Sequence, residues 1–268
     1  MTPRLCLYLT TPCCHCFHLQ KSLLQLKKSI PSITKHSNLK SGYTTGNIRK
    51  AKVRMDQVSS QQPIRVVFFD VMDTLVKDPF HQGMYKVFGF QSFEEFVNAT
   101  DSQTWLDFEL GKLNEEQVAQ NFFKSATLAT QFDWKLLKEF LWDHYVWMEG
   151  VEFVLKALQE GQKTVQFHVL SNYPPLYKMI EEKLQISKYV KWSFVSCDIG
   201  LRKPDWKIFQ FAVETLGVSP QCCLFVDDRK VNCDAAKQLG FHTIHFQDSQ
   251  KLKKQLTTYF QWLNCHEI

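Results

Sequence analysis

The 268-residue sequence predicts an α/β protein: a parallel sheet with helices on both faces and a helical lobe inserted after the first strand. Three observations predict it. IRVVFFD, residues 64 to 70, is a short apolar run rich in β-branched and aromatic residues and closed by a carboxylate, which reads as a fully buried strand. From Val151 onward, helix-like and strand-like segments alternate, and strands joined by helical crossovers form parallel sheets. Between them, residues 79 to 150 hold 16 of the 37 aromatic residues at helix-like spacings. A chain with 44% hydrophobic and 22% charged residues has enough apolar material for one globular domain with an added lobe. No apolar run reaches the roughly 18 residues of a membrane span, so the chain reads as soluble, with no membrane partner.

Residues 1 to 60 form the first segment. Through residue 62 there are ten Lys or Arg and a single acid, Asp56, while the rest of the chain has 22 bases and 26 acids. The net charge of +5 therefore comes from the leader, and the basic pI does not argue for a nucleic-acid partner. A Ser- and Thr-rich, acid-poor leader without sustained periodicity has the composition of an organelle transit peptide or of a basic disordered tail. Lys outnumbers Arg, which favours the plastid over the mitochondrion. CCHCFH, residues 13 to 18, lacks a second ligand pair at zinc-finger spacing. The five later cysteines show no paired spacing and read as reduced thiols.

The expected core is residues 61–78 and 151–268, and the expected lobe is residues 79–150, with helices in SFEEFVNA, TWLDFELGKL, EEQVAQNFF and WKLLKEFLWDHYVW. Aromatics at such spacings more often form a lobe's own core than a ligand shelf. VEFVLKALQEG reads as a helix closed by Gly161, VQFHVLS as a strand, PLYKMIEEKL as a helix and WSFVSC as a strand. A helix beginning near Pro204 runs to Gly217, CCLFVDD is a strand, and VNCDAAKQLG is a helix closed by Gly240. HTIHF is a strand and SQKLKKQLTTYFQWL a final helix.

Ligands of open parallel sheets bind beyond the carboxyl ends of the strands. Those ends carry Asp70 and Asp73, then Ser171 and Asn172, then Asp227 and Asp228, with Lys203 on a nearby loop. Each has a role if the substrate is a small phosphomonoester. Asp70 is placed to attack phosphorus and form an aspartyl phosphate. Asp70, the Met72 carbonyl, Asp227 and Asp228 are the oxygen donors expected for Mg²⁺, with the direct ligand among the last two left open. Ser171, Asn172 and Lys203 are the expected phosphate-binding groups. His144 and His168 have no partner at ligand or triad spacing, and Arg229 and Asn232 read as structural. Glu109 and Gly111 read equally as a substrate loop or as a helix C-terminus.

In order and spacing these residues resemble the haloacid dehalogenase (HAD) superfamily of hydrolases. The family's D-x-D-x-T motif is similar to Asp70-Val71-Met72-Asp73-Thr74. Its strand-ending Ser or Thr is similar to Ser171 in FHVLSN, its Lys to Lys203 in GLRKPD, and its acidic motif to FVDDRKVNCDAAKQLG. The resemblance spans about residues 64 to 247 and implies a HAD-like Rossmannoid sheet, with the aromatic lobe as the helical cap that selects substrate. FDVMDTLVKDPF, WLDFELGKLNEEQVAQNFF, LSNYPPLYKMIEEKL and FVDDRKVN resemble a plant and algal plastid branch. That likeness implies hydrolysis of flavin mononucleotide (FMN) to riboflavin in the chloroplast stroma.

The departure is Met72, which stands where the family's phosphatases have the Asp that protonates the leaving oxygen and then activates water. A thioether does neither, and positioned acid–base catalysis is worth roughly 10² to 10⁴ in rate. Asp73 is a candidate substitute acid or base, aimed differently by its backbone position. Three readings follow: a slow or unusual Mg²⁺-dependent phosphatase, a catalytically weak binding protein, and a dehalogenase. A carbon–halogen displacement has no use for the Asp227–Asp228 pocket, which disfavours the dehalogenase.

Overall fold

The computed structural model describes residues 62–265; the basic leader and CCHCFH lie outside them. β1 (Val66–Phe69), β2 (Gln166–Ser171), β3 (Lys191–Val195), β4 (Cys223–Asp227) and β5 (His242–His245) form one parallel sheet in the order β3-β2-β1-β4-β5. β1 is central and its four residues are buried, which is why its sequence is apolar without alternation. Successive side chains leave opposite faces. Val67 and Phe69 join Val169, Leu224 and Val226 in one core layer, and Val66 and Phe68 join Leu170, Phe194 and Phe225 in the other. Phe69 lies level with both Val169 and Val226, so Asp70, Ser171 and Asp227 emerge at the same edge of the sheet.

Between β1 and β2 come α1 (Phe93–Ala99), α2 (Ser102–Glu109), α3 (Glu115–Asn121), α4 (Ala126–Ala129) and α5 (Trp134–His144). Their starts are written in short polar residues. Ser92, Asp101 and Asp133 accept hydrogen bonds from first-turn N–H groups, and Asn114 with Gln117 makes a reciprocal capping box. The aromatics of this block pack on one another: Phe88 stacks on Phe96 at 5.8 Å, and Phe122 meets Phe132 at 4.9 Å. They are continuous with the core layer of Val67 and Phe69, and offset or edge contacts of this kind add to plain burial. The chain enters and leaves the block side by side, with Lys77 N–H donating to Val146 and Met148 N–H donating to Leu75.

After the block come α6 (Val151–Gly161), α7 (Tyr177–Leu184), α8 (Ser196–Ile199), α9 (Trp206–Leu216), α10 (Lys230–Gln238) and α11 (Ser249–Leu256), interleaved with the strands. Four details differ from expectation. Gly161 is a helical residue and not the stop; a Cβ there would lie 2.2 Å from the Trp262 ring, so its role is close packing. β3 ends at Val195 because residues 196–199 turn into α8. α9 starts at Trp206, capped by Asp205, while Pro204 follows a cis peptide bond. α11 stops at Leu256, where Thr257, Thr258 and Tyr259 turn the chain into a 3₁₀ segment at Gln261–Cys265. β-branched and aromatic side chains lose rotamer freedom in helices, which weakens the continuation there.

Candidate active site

β1 ends directly into Asp70, whose N–H donates to the carbonyl of Val226 on β4 (2.9 Å). The next residues fold into a tight turn, with Leu75 and Val76 both donating to the carbonyl of Val71. In that turn Asp73 adopts a left-handed backbone (φ 52°), a conformation tolerated by Asp better than by most residues. Thr74 is buried and accepts a hydrogen bond from the N–H of Asp228 (3.1 Å), joining the first and fourth strand ends.

Lys203 is the charge centre of the site. Its side chain is 1% exposed, and Nζ lies 2.7 Å from Asp70 Oδ1 and 2.7 Å from Asp227 Oδ2. Burial alone would lower its pKa, but Asp227 and Asp70 outweigh burial and hold it above the ordinary lysine value. Asn172 fixes the lysine's backbone, accepting from Lys203 N–H (2.8 Å) and donating to its carbonyl (2.9 Å). Its amide is thereby engaged in positioning the loop that carries Lys203, which the sequence did not suggest.

The two adjacent aspartates are unlike. Asp227 is fully buried and accepts from Lys203, from the N–H of Arg229 (2.8 Å) and from Asn232 Nδ2 at both oxygens (3.0 Å each). Asp228 is half-buried, and among the described residues no group donates to its carboxylate; its carbonyl accepts from His245 (2.7 Å). Burial, with the charges of Asp70 and Asp227, pushes Asp228 up to about 8. Burial likewise raises Asp70, with Lys203 opposing it. Carboxylate oxygens of Asp70, Asp227 and Asp228 lie within 4.8 Å of one another. Three hard oxygen donors that crowd their own charges fit Mg²⁺. Ser171 Oγ is fully buried beside Asp70, whose carboxyl it helps to hold down against burial, and bonds no other group among the described residues.

The structure thus brings Asp70, Ser171, Lys203, Asp227 and Asp228 to one edge. Asp73 sits in the same turn, with Oδ1 accepting the N–H of Asp78 (2.9 Å). Met72 is partly buried against the main core. His144 stacks on Phe140 and bonds its carbonyl, and His168 is bonded to Ser193 and pushed down to about 4 by burial, so both are structural. Glu109 and Gly111 lie at a helix C-terminus, the second of the two readings given above. α2 ends at Glu109, and this end docks on the rest of the chain: Glu109 pairs with Arg202 (3.1 Å), its carbonyl accepts from Ser196, and Gly111 packs on the carbonyl of Cys197. Sequence reading carried Thr74 only as part of the D-x-D-x-T match and missed Ser196, Arg202 and His245. Arg202 stands beside Lys203 in GLRKPD, but Ser196 and His245 carry no local signal.

A parallel sheet whose strand ends gather a buried carboxylate, a buried lysine and an acidic pair defines an α/β protein with a candidate hydrolase site at the ligand edge. The chain belongs to the haloacid dehalogenase-like hydrolases, whose family model matches residues 64–240. It is 35% identical over 202 residues to the chloroplastic flavin mononucleotide hydrolase 1 of Arabidopsis thaliana, covering 75% of this chain and 80% of that one. A D-ribitol-5-phosphate phosphatase of Bacteroides thetaiotaomicron is 28% identical over 103 residues, covering 36% of this chain and half of its own length. Among solved structures, a HAD-like hydrolase from Porphyromonas gingivalis aligns with a TM-score of 0.60 at 20% identity, over 75% of this chain and 99% of that one. A HAD family enzyme from Bacteroides thetaiotaomicron, solved with magnesium and inorganic phosphate, aligns at 0.55 and 20% identity, over 69% and 96%. These two establish the shared fold.

Proposed function

We propose that this protein is a Mg²⁺-dependent phosphomonoester hydrolase working through an aspartyl phosphate on Asp70, with FMN as its substrate and riboflavin and phosphate as products. The observation that carries the proposal is the ammonium of Lys203, buried and 2.7 Å from both Asp70 and Asp227. A carboxylate that must approach a phosphate dianion needs fixed positive charge, and a desolvated lysine supplies it. The FMN assignment draws on the likeness to the Arabidopsis chloroplast hydrolase. The aromatic block does not argue for a flavin, because its rings are occupied with one another.

Asp70 delivers an oxygen to phosphorus as the ester bond breaks. Lys203 and the hydroxyl of Ser171 receive the phosphoryl oxygens, and Asn172 keeps the lysine's loop in place. Asp228 is the direct Mg²⁺ ligand of the late pair, because its carboxylate is free of protein donors, whereas Asp227 is consumed by Lys203, Arg229 and Asn232. The Met72 carbonyl and Asp70 complete the protein's share of the donors. Bound Mg²⁺ supplies charge neutralisation for the transferring phosphoryl group. We further infer that residues 1 to 60 direct the protein to the chloroplast, and that residues 79–150 act as a substrate-selecting cap.

The test is phosphate release by the full chain from FMN, sugar phosphates and nitrophenyl phosphate, with and without Mg²⁺, beside Asp70→Asn. Metal-dependent release lost in the variant supports the phosphatase, and preference for FMN supports the substrate. Folded protein silent on every ester points to the second reading, a binding protein, which Met72 favours.

A further inference from the structure

The C-terminal end of α2 is where the helical block grips the loop that carries Lys203. Both oxygens of the Glu109 carboxylate are engaged. Trp105 Nε1, four residues earlier on the same helix, donates to Oε1 (3.1 Å), and Arg202 Nη2 donates to Oε2 (3.1 Å). Residues at that spacing are neighbours on a helix, so the indole aims the carboxylate and the carboxylate fixes the guanidinium. The carbonyl of Glu109 accepts from Ser196 Oγ, and that hydroxyl accepts the N–H of Tyr173 (3.0 Å).

The residues so gripped stand next to those that set the lysine's place. Arg202 precedes Lys203, and Tyr173 follows Asn172, whose amide clasps Lys203 N–H (2.8 Å) and carbonyl (2.9 Å). The carbonyl of Arg202 accepts Asp205 N–H (3.1 Å), which closes the turn around the lysine. At its tip, Nζ lies 2.7 Å from Asp70 and 2.7 Å from Asp227. A buried side chain set between two carboxylates has no slack, and close-packed interiors transmit strain, so a shift of its backbone displaces the ammonium.

We propose that Glu109 is a positioning residue for phosphate binding: through Arg202 and Ser196 it holds the loop that presents Lys203, so the helical block sets how tightly the site grips a phosphoryl group. The inference rests on the phosphatase reading given above for the role of Lys203. Glu109 works through its neighbours and is not a phosphate ligand, since a carboxylate repels the anion. Docking alone does not account for the pair. A buried ion pair is weak ground for stability, because apolar residues of similar volume often serve as well, and its best-attested use is to fix the register of packed parts. Apolar contacts already seat α2 in the block, with Trp105 against Phe80 at 4.8 Å and Phe108 against Trp134 at 5.7 Å. The ion pair adds a fixed distance between residues 109 and 202.

The sign of the effect separates this role from others. Removing a negative charge near an anion site by itself tightens phosphate binding, whereas loosening Lys203 weakens it. Glu109→Gln keeps the shape but leaves one acceptor where two donors converge. In the full chain with Mg²⁺, this variant is expected to bind inorganic phosphate about tenfold more weakly, the size of one lost charge-assisted hydrogen bond, both by titration calorimetry and as a competitive inhibitor. KM is expected to rise with it, and kcat to fall less. Trp105→Phe, which frees one carboxylate oxygen and leaves Arg202 untouched, is expected to weaken phosphate about threefold and carries the test should Glu109→Gln not fold. Phosphate affinity unchanged within about twofold in these variants, or tighter, overturns the proposal whatever happens to Tm and leaves docking as the role. A higher KM with phosphate affinity unchanged also overturns it, because that places Glu109 on the leaving group. An unaltered protein that binds phosphate but cleaves no ester overturns the phosphatase reading alone, and the calorimetric comparison still decides Glu109. One that binds no phosphate overturns both.

Discussion

Replacing Lys203 by Met leaves two buried carboxylates, Asp70 and Asp227, without the ammonium 2.7 Å from each. Removing one partner of a buried ion pair costs about 3 to 5 kcal/mol, because the remaining charge stays desolvated. Lys203→Met is therefore expected to lose about that much in urea unfolding at neutral pH, together with phosphate release. Met72→Asp is expected to keep the fold and raise turnover of a poor-leaving-group ester, measured as kcat; no rise means that another group already carries the proton. Asp78 also sets a pH dependence of stability. Its pKa is about 6 folded against 3.8 for an unperturbed Asp, so the folded state holds the proton more tightly. Its contribution is fully present below about pH 4 and is lost as the pH rises through 6. Urea titrations between pH 4 and 7 are expected to show a decline that Asp78→Asn reduces. Asp70, Lys203 and the late aspartates were legible because β1 and β4 announce themselves as apolar runs, and whatever follows a parallel strand lies on the ligand edge. The bond that Asp78 N–H donates to Asp73 was not, since it depends on a left-handed turn that no periodicity encodes.

Glycines separate the helix ends that sequence predicts from those it does not. Gly217 ends α9 in a left-handed conformation (φ 62°), as its place after an apolar periodic stretch suggests. Gly161 has the same sequence setting, but the rim of Trp262 rests on it, a contact spanning a hundred residues and invisible locally. Gly111 does both: φ is 68°, and a Cβ would fall 2.1 Å from the carbonyl oxygen of Cys197. Gly111→Ala is expected to cost about 1 to 2 kcal/mol in backbone conformation alone. That corresponds to a Tm fall of about 2 to 8 °C for a unit of this size, read by calorimetry. The same substitution pushes the Glu109 end of α2 away from Ser196 and Arg202, so KM is expected to rise more than kcat falls. Most strands and helices were legible from periodicity and caps. α8 and the break after Leu256 were not, being one short turn and one run of β-branched residues whose preference is weak until packing decides.

In the molecule as a whole, the helices of residues 93–144 form an excursion between two neighbouring strands, β1 and β2. Among the described residues no helix is long and apolar enough to cross a membrane. The excursion's two ends meet as a short antiparallel pair, Val76 beside Trp147, and the sheet's register does not pass through it. Loop closure entropy grows only slowly with length, so such an excursion can lengthen or shorten at little cost to the sheet. Asp70, Lys203, Asp227 and Asp228 all lie outside residues 79–150, while from within them Glu109 and Gly111 touch Arg202, Ser196 and Cys197. An excursion exchanged between Val76 and Trp147 would leave Asp70, Ser171, Lys203, Asp227 and Asp228 in their places on the sheet, so the block and the strand-end cluster are able to descend separately.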